Sequence, residues 1–239
     1  MLFGIYSQVT KSPPLEEVRQ EEEVDYEALK MDFKNIFTNS VITDGKSEDY
    51  NNVVITKYDI KNKDGLYDVD VKIPKINIES SIIDEVNNKI EKIYVEKLKN
   101  IIQDTATNTI YGINYVAYVN EDILSLVIKT GLKEYADKPQ RVVLQTFNYD
   151  IKGDKLLSFE DIMNRKSLNK EEIQSKIDRE IKKSAEENNI PGMYQIEPEQ
   201  DMYKIENVVE FFIGKNGYIY ILYPYGNRNN TDMVDIIIL

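Results

Sequence analysis

The sequence predicts an α+β protein: antiparallel β-sheets with two long helices packed on one side, arranged as two intimately packed lobes. Three observations carry this. Val69, Val71 and Ile73 alternate with Asp68, Asp70 and Lys72, the two-residue period of a half-buried strand. Two other segments repeat apolar residues every three or four positions, near 82–105 and near 169–185, which is the period of a helix with one buried face. The strand-like runs are grouped at hairpin spacing instead of alternating with helices, which argues against a parallel βαβ series.

The elements follow in order. Tyr26–Phe37 forms a short helix with Leu29, Phe33, Ile36 and Phe37 on one face, and a polar break runs from Thr43 to Asn52. Val53–Ile60 is a strand, Lys61–Gly65 is a turn, and the next strand ends at Pro74 or places it on an edge, because proline donates no ladder hydrogen bond. Ser81 and Asp84 resemble a capping box for the helix Ile82–Thr105, whose stripe includes Ile82, Val86, Ile90, Ile93, Tyr94, Leu98, Ile101 and Ile102. Thr109–Val119, Ile123–Leu132 and Arg141–Ile151 are strands rich in Tyr, Val and Ile. Ser158–Asp161 opens a short helix. Asn169 and Glu172 cap a longer one with Ile173, Ile177, Ile181 and Ala185 on its apolar face. Val208–Gly214 and Tyr218–Tyr223 flank Asn216-Gly217, the preferred pair of a type I′ hairpin. Val234–Leu239 is the last strand.

Composition narrows the chemistry. With 239 residues, 41% of them hydrophobic, and 17 tyrosines, the chain has enough apolar mass for a sizeable core. Thirty basic against 42 acidic residues give a net charge of −12, which repels phosphate backbones and anionic membrane surfaces and favours a cationic partner. The chain holds neither Cys nor His. Thiolate zinc sites, Cys nucleophiles, serine triads and His-based metal sites are therefore excluded.

Carboxylates alone remain for acid–base work. Forty-two of them supply pairs by abundance, and Asp68 with Asp70 occupies the solvent face that its strand alternation requires. Asp59–Gly65 has a calcium-loop flavour, but Lys61 in third place and Val71 in twelfth exclude an EF-hand. A hard-cation site within Asn227–Asp232 is a minor alternative, and no glycine-rich phosphate loop is present. The sequence thus predicts a binding protein with no cofactor, no metal and no catalytic residues.

Tyrosines mark the candidate contact surface. Tyr218 and Tyr220 share a strand face and read as core, with Tyr223 facing the other way. The segment after the last hairpin reads as surface: Tyr223, Pro224, Tyr225 and Gly226, then the polar run Asn227, Arg228, Asn229, Asn230 and Asp232. Tyrosine offers a rigid contact area with a hydroxyl, and loops carry recognition.

At the N-terminus, Met1–Val9 is apolar and uncharged, too short to span a bilayer, which takes about 20 residues. It is either an ordinary strand or frayed end, or the trailing edge of a membrane anchor. Thr10–Asp25, with Pro13-Pro14 and Glu21–Glu23, reads as a solvated stalk.

Ordered blocks across residues 50–239 carry a family resemblance. They are Val71–Ile76, Asn87–Ile90, Asp122–Val127, Gln145–Asp150, Gly153–Ile162 and Phe212–Tyr225. This pattern resembles the paired domains of unknown function found in RsiV-type anti-sigma factors and ahead of the catalytic domain in PdaC-type peptidoglycan deacetylases. The resemblance implies three parts: an anchor remnant, stalk and short helix over 1–49, a PdaC-like lobe over 50–140 and an RsiV-like lobe over 141–239. It further implies an extracytoplasmic, membrane-anchored or secreted protein of a Gram-positive cell surface. The expected partner is a cationic protein such as lysozyme, contacted through the Pro/Tyr segment, with a cell-wall glycan as the alternative. The sigma-binding segment and the deacetylase domain have no counterpart here, so neither activity carries over. Asn227–Asp232 stands where the family has a different loop.

Overall fold

A computed structural model of the chain describes residues 24–36, 42–45, 52–103, 108–135, 140–189, 195–224 and 234–239. The expected N-terminal strand or anchor remnant and most of the stalk lie outside these residues. The fold is α+β, built on two sheets.

The larger sheet contains β1 (Ile42–Gly45), β2 (Val54–Lys63), β3 (Tyr67–Ile76), β4 (Thr109–Asn120), β5 (Ile123–Glu134), β6 (Arg141–Asp150) and β7 (Lys155–Leu156). Its order is β2-β3-β4-β5-β6-β7, with β1 beside β4. Two pairings are parallel, β3 with β4 and β1 with β4, which corrects the expectation of purely antiparallel sheets. The long helix leaves β3 and returns to β4 as a crossover, and a crossover of that length brings the next strand back parallel. Three residues of the expected polar break, Thr43, Asp44 and Gly45, join Ile42 in β1. A strand this short, half of it Asp and Gly, has too little alternation to register as a pattern.

Pro74 lies inside β3, opposite Thr56 where the register with β2 shifts. Pairing of β3 with β4 ends at Val71, so on that side no ladder bond is asked of the proline nitrogen.

The crossover consists of α2 (Ser81–Ile90), a π-helical turn (Glu91–Val95) and α3 (Glu96–Gln103). Its N-cap is Ser80 and not Ser81, with the Ser80 hydroxyl accepting from the amides of Ile82 and Ile83. The π turn inserts one residue into the repeat, so Tyr94 and Val95 are both buried. Ile93 and Ile102, expected in the apolar stripe, are turned outward.

The smaller sheet, β10-β9-β8, consists of β8 (Phe211–Ile213), β9 (Ile219–Pro224) and β10 (Val234–Ile238). Both of its faces are apolar. Tyr220, Leu222, Ile236 and Ile238 meet Val116, Tyr118, Val127 and Leu144 of the larger sheet. Ile219, Ile221, Tyr223 and Ile237 meet α4 (Phe159–Arg165) and α5 (Lys170–Asn188). The opposite face of the larger sheet is covered by the crossover helix. The layers are therefore helix, sheet, sheet, helix, which corrects the expectation of both long helices on one side. A sheet apolar on both faces must be covered on both.

The larger sheet also runs past residue 140, where the two lobes were expected to divide. β6 pairs with β5 from Arg141 to Asp150. The short helix α1 (Tyr26–Ile36) closes the open side between the sheets, with Phe33 its buried residue.

Candidate functional site

The C-terminal hairpin is the centre of the candidate site. The Gly214 amide donates to the Tyr218 carbonyl and the Gly217 amide to the Gly214 carbonyl, and Gly217 has φ +82°. This is a three-residue loop with a left-handed glycine at its end and not the two-residue type I′ turn expected from Asn216-Gly217. The I′ signature of two successive positive φ values falls instead at Glu121 (+49°) and Asp122 (+65°). Both are strained there, since a left-handed residue other than glycine costs about 1–2 kcal/mol. Arg165 donates to the Glu121 carbonyl at 3.2 Å and Lys152 pairs with Asp122 at 2.6 Å, which holds the turn.

Side chains of the larger sheet complete the outer edge of β8. The Phe211 amide donates to Thr146 Oγ1 at 3.1 Å and its carbonyl accepts from Asn148 Nδ2 at 2.7 Å. The Ile213 amide donates to Ser125 Oγ at 3.0 Å, and the Gly214 carbonyl accepts from Asn120 Nδ2 at 3.1 Å. Ser125 Oγ donates in turn to Asn148 Oδ1 at 2.6 Å. Asn120, Ser125 and Asn148 are buried. These four polar residues fix where β8 sits, and with it the rest of the small sheet. Sequence reasoning passed over them, although Ser125 within Ile123–Val127 is a polar residue that alternation assigns to a buried face.

Glu210 sits at the entry to β8 and accepts from the Thr146 amide (2.6 Å) and hydroxyl (2.9 Å). Burial pushes its carboxyl above the usual carboxylate range, outweighing the bonds from Thr146 and the Lys89 ammonium facing it. An acid with a raised native pKa binds more protons folded than unfolded, so stability falls as pH rises from the unfolded toward the folded value. Glu210→Gln is therefore expected to be at least as stable as wild type at pH 7, with the difference shrinking toward pH 4. Denaturant midpoints at both pH values check this; a variant clearly less stable at pH 7 contradicts it.

Of the predicted contact residues, Tyr223 has its ring in the core and not on the surface. It is 4% exposed and meets Tyr203 edge-on at 5.0 Å. Burial raises its phenol pKa well above the ordinary value. The reason is the alternation itself. Tyr223 points oppositely to Tyr220 and Leu222, into the face that α5 covers. The backbone of Pro224 pairs with Val234. Tyr225, Gly226, Asn227, Arg228, Asn229, Asn230 and Asp232 lie outside the described residues, as does any cation site at 227–232. What the structure gives is the frame. β9 and β10 pair up to Pro224 and Val234, so the connection 225–233 leaves and re-enters the sheet at a fixed place.

Tyr218 and Tyr220 face the core as expected. Tyr220 stacks on Phe212 at 4.5 Å and 12°, and Phe212 stacks on Tyr118 at 5.9 Å. These rings are buried against each other, so none of the three offers an open face to a sugar.

The paired carboxylates of the sequence, Asp68 and Asp70, are engaged by lysine. Asp70 pairs with Lys61 at 2.7 Å and Asp68 with Lys63 at 2.5 Å, Asp68 half-buried and the other three exposed. Among the described residues, no three Asp or Glu side chains are grouped to hold a metal ion. No described helix is long and apolar enough to cross a membrane.

No family model matches the chain, and no curated protein matches it. Among solved structures, a DUF3298 family protein from Pseudomonas aeruginosa PAO1 aligns over 77% of this chain and 85% of its own. Its identity is 11% and its TM-score 0.43. A DUF3298 family member from Bacteroides fragilis NCTC 9343 aligns over 66% of this chain and 61% of its own, with 17% identity and a TM-score of 0.36. Both neighbours belong to a family of domains of unknown function. Both scores lie below 0.5, and neither likeness assigns a site or an activity.

Proposed function

We propose that this chain is a non-catalytic binding or sensor domain of a bacterial cell envelope, extracytoplasmic, and that its partner is a cationic protein of the lysozyme type. The observation that carries the reading is the net charge of −12 on a chain without histidine or cysteine. A field of that sign accelerates encounter with a cationic partner and disfavours nucleic acid. The resemblance of the ordered sequence blocks to the RsiV and PdaC domains supports the same partner class and the extracytoplasmic setting. The contact surface in this reading is the connection after Pro224, presented by a paired strand end that the four-residue polar joint fixes on the larger sheet.

Calorimetric titration with lysozyme tests it. Saturable heat is expected, with affinity falling between low and physiological salt because the attraction between exposed charges is screened. The absence of heat at both salt concentrations excludes the reading.

A further inference from the structure

We infer that the outer edge of β10, where it borders the cleft between α1 and α5, is a binding site for a short extended peptide segment with a basic side chain, added to the small sheet as a further strand. For the sign of that charge the inference rests on the proposed function. β10 ends its sheet, with β9 on one side and no strand on the other. The cleft alongside it measures 220 Å³, below the roughly 300–1,000 Å³ of drug-sized sites, so it suits a short length of chain.

The backbone of β10 calls for a strand. Leu239 and Ile219 exchange both of their backbone hydrogen bonds, at 2.8 and 3.2 Å, so Leu239, Ile237 and Asp235 turn their N–H and C=O groups toward β9. Ile236 turns its own the other way. Its partner in register, Leu222, also points away from the shared ladder, donating to the Glu210 carbonyl on the β8 side. Ile236 lines the cleft and is 5% exposed, and no described residue pairs with its outward N–H or C=O. Buried backbone groups are almost always paired. A donor and an acceptor side by side on a strand edge are met together by the backbone of another extended chain.

The lining sets the charge of the ligand. Glu27 on α1, Glu180 and Glu187 on α5 and Asp235 on β10 outnumber the two ammoniums, Lys30 and Lys183. A basic side chain is attracted there and an acidic one repelled. The walls are tied together without the ligand. Lys30 pairs with Glu180 at 3.2 Å, joining α1 to α5, and Ser184 donates to Asp235 at 2.7 Å, joining α5 to β10. A frame fixed in this way asks little reorganisation of an incoming segment.

The edge strand of the larger sheet is guarded against such pairing. β2 carries Lys57, Lys61 and Lys63 and a register shift between Thr56 and Tyr58, devices by which edge strands avoid new partners. β10 has no lysine, and its register with β9 is unbroken. It also begins at Val234, where the connection after Pro224 re-enters the sheet. Val234 lines the cleft, so the edge site is continuous with the proposed contact surface.

The probe is the tripeptide Val-Arg-Val, acetylated and amidated at its ends. Calorimetric titration of the full chain is expected to show saturable one-to-one binding. Residue-resolved amide exchange is expected to show new protection at Ile236 and none at Ile237, whose amide already faces β9. Methylating every backbone nitrogen of the peptide is expected to weaken binding roughly tenfold or more, because the strand bonds are lost while the protein is unchanged. Glutamate in place of arginine is expected to weaken it by a similar factor, roughly tenfold. In the protein, Ile236→Pro removes the outward N–H at an edge position that tolerates proline, and a folded variant is expected to lose binding. No saturable binding, equal affinity for the methylated or the glutamate peptide, or protection away from Ile236 overturns the proposal. Peptide binding without lysozyme heat removes the lysozyme reading alone, and lysozyme heat without peptide binding removes the edge site alone.

Discussion

Replacing Phe212 by alanine is expected to cost about 3–5 kcal/mol of folding free energy, the range for removing a buried phenylalanine. Phe212 is 1% exposed and is the ring that Phe33, Tyr118 and Tyr220 all share. Three elements therefore lose contact at once: α1, β4 and β9. Because α1 has Phe33 as its buried anchor, it should lose amide protection before the sheets do. Denaturant unfolding combined with residue-resolved hydrogen exchange measures both effects. A loss below about 1.5 kcal/mol, the range of volume-conserving swaps, or α1 protection matching that of β5, contradicts the account of α1 as a docked cover.

Asn148→Leu is expected to cost about 2–5 kcal/mol. The change removes the acceptor of the Ser125 hydroxyl proton and the side-chain donor to the Phe211 carbonyl, and an unmet buried donor or acceptor costs about 1–3 kcal/mol. Asn148 is 4% exposed and Ser125 fully buried, so water offers little relief. A double-mutant cycle with Ser125→Ala isolates the joint. Residues that bond directly are expected to couple by about 0.5–3 kcal/mol. Additive losses would mean that Ser125 and Asn148 hold β8 independently. A loss under 1 kcal/mol for Asn148→Leu would mean that hydrophobic contact between the sheets suffices to place the strand.

The parts of this fold that were legible are those dictated by local pattern. The alternation at Val69–Ile73, the helical repeat of Ile173, Ile177, Ile181 and Ala185 and the hairpin at Asn216-Gly217 all reappear as elements. What local pattern does not contain is where those elements go. The parallel pairing of β3 with β4 is set by the crossover helix and by the apolar faces it must join. The split of the two long helices to opposite sides follows from β9 being apolar on both faces. Its sequence, Ile219–Tyr223, shows an unbroken apolar run, and such a run is compatible with either a strand covered on both faces or a helix.

The candidate site was legible in the same partial way. The opposite orientation of Tyr220 and Tyr223 can be read from alternation, but that Tyr223 is buried requires knowing that α5 lies over it. Turn chemistry misled in one place for a physical reason. Glu121 and Asp122 take the positive φ values of a type I′ turn without glycine, because Arg165, Lys166 and Lys152 hold that turn from outside.

In the proposed function, this acidic domain recognises a cationic protein through the connection between β9 and β10. Amide hydrogen exchange of the full chain, with and without saturating lysozyme, tests it most directly. The account predicts added protection at residues 224–234 and the adjoining ends of β9 and β10, with β2 and the outer face of the crossover helix unchanged. Unaltered exchange throughout, or protection confined to the edge strand β2, would contradict it.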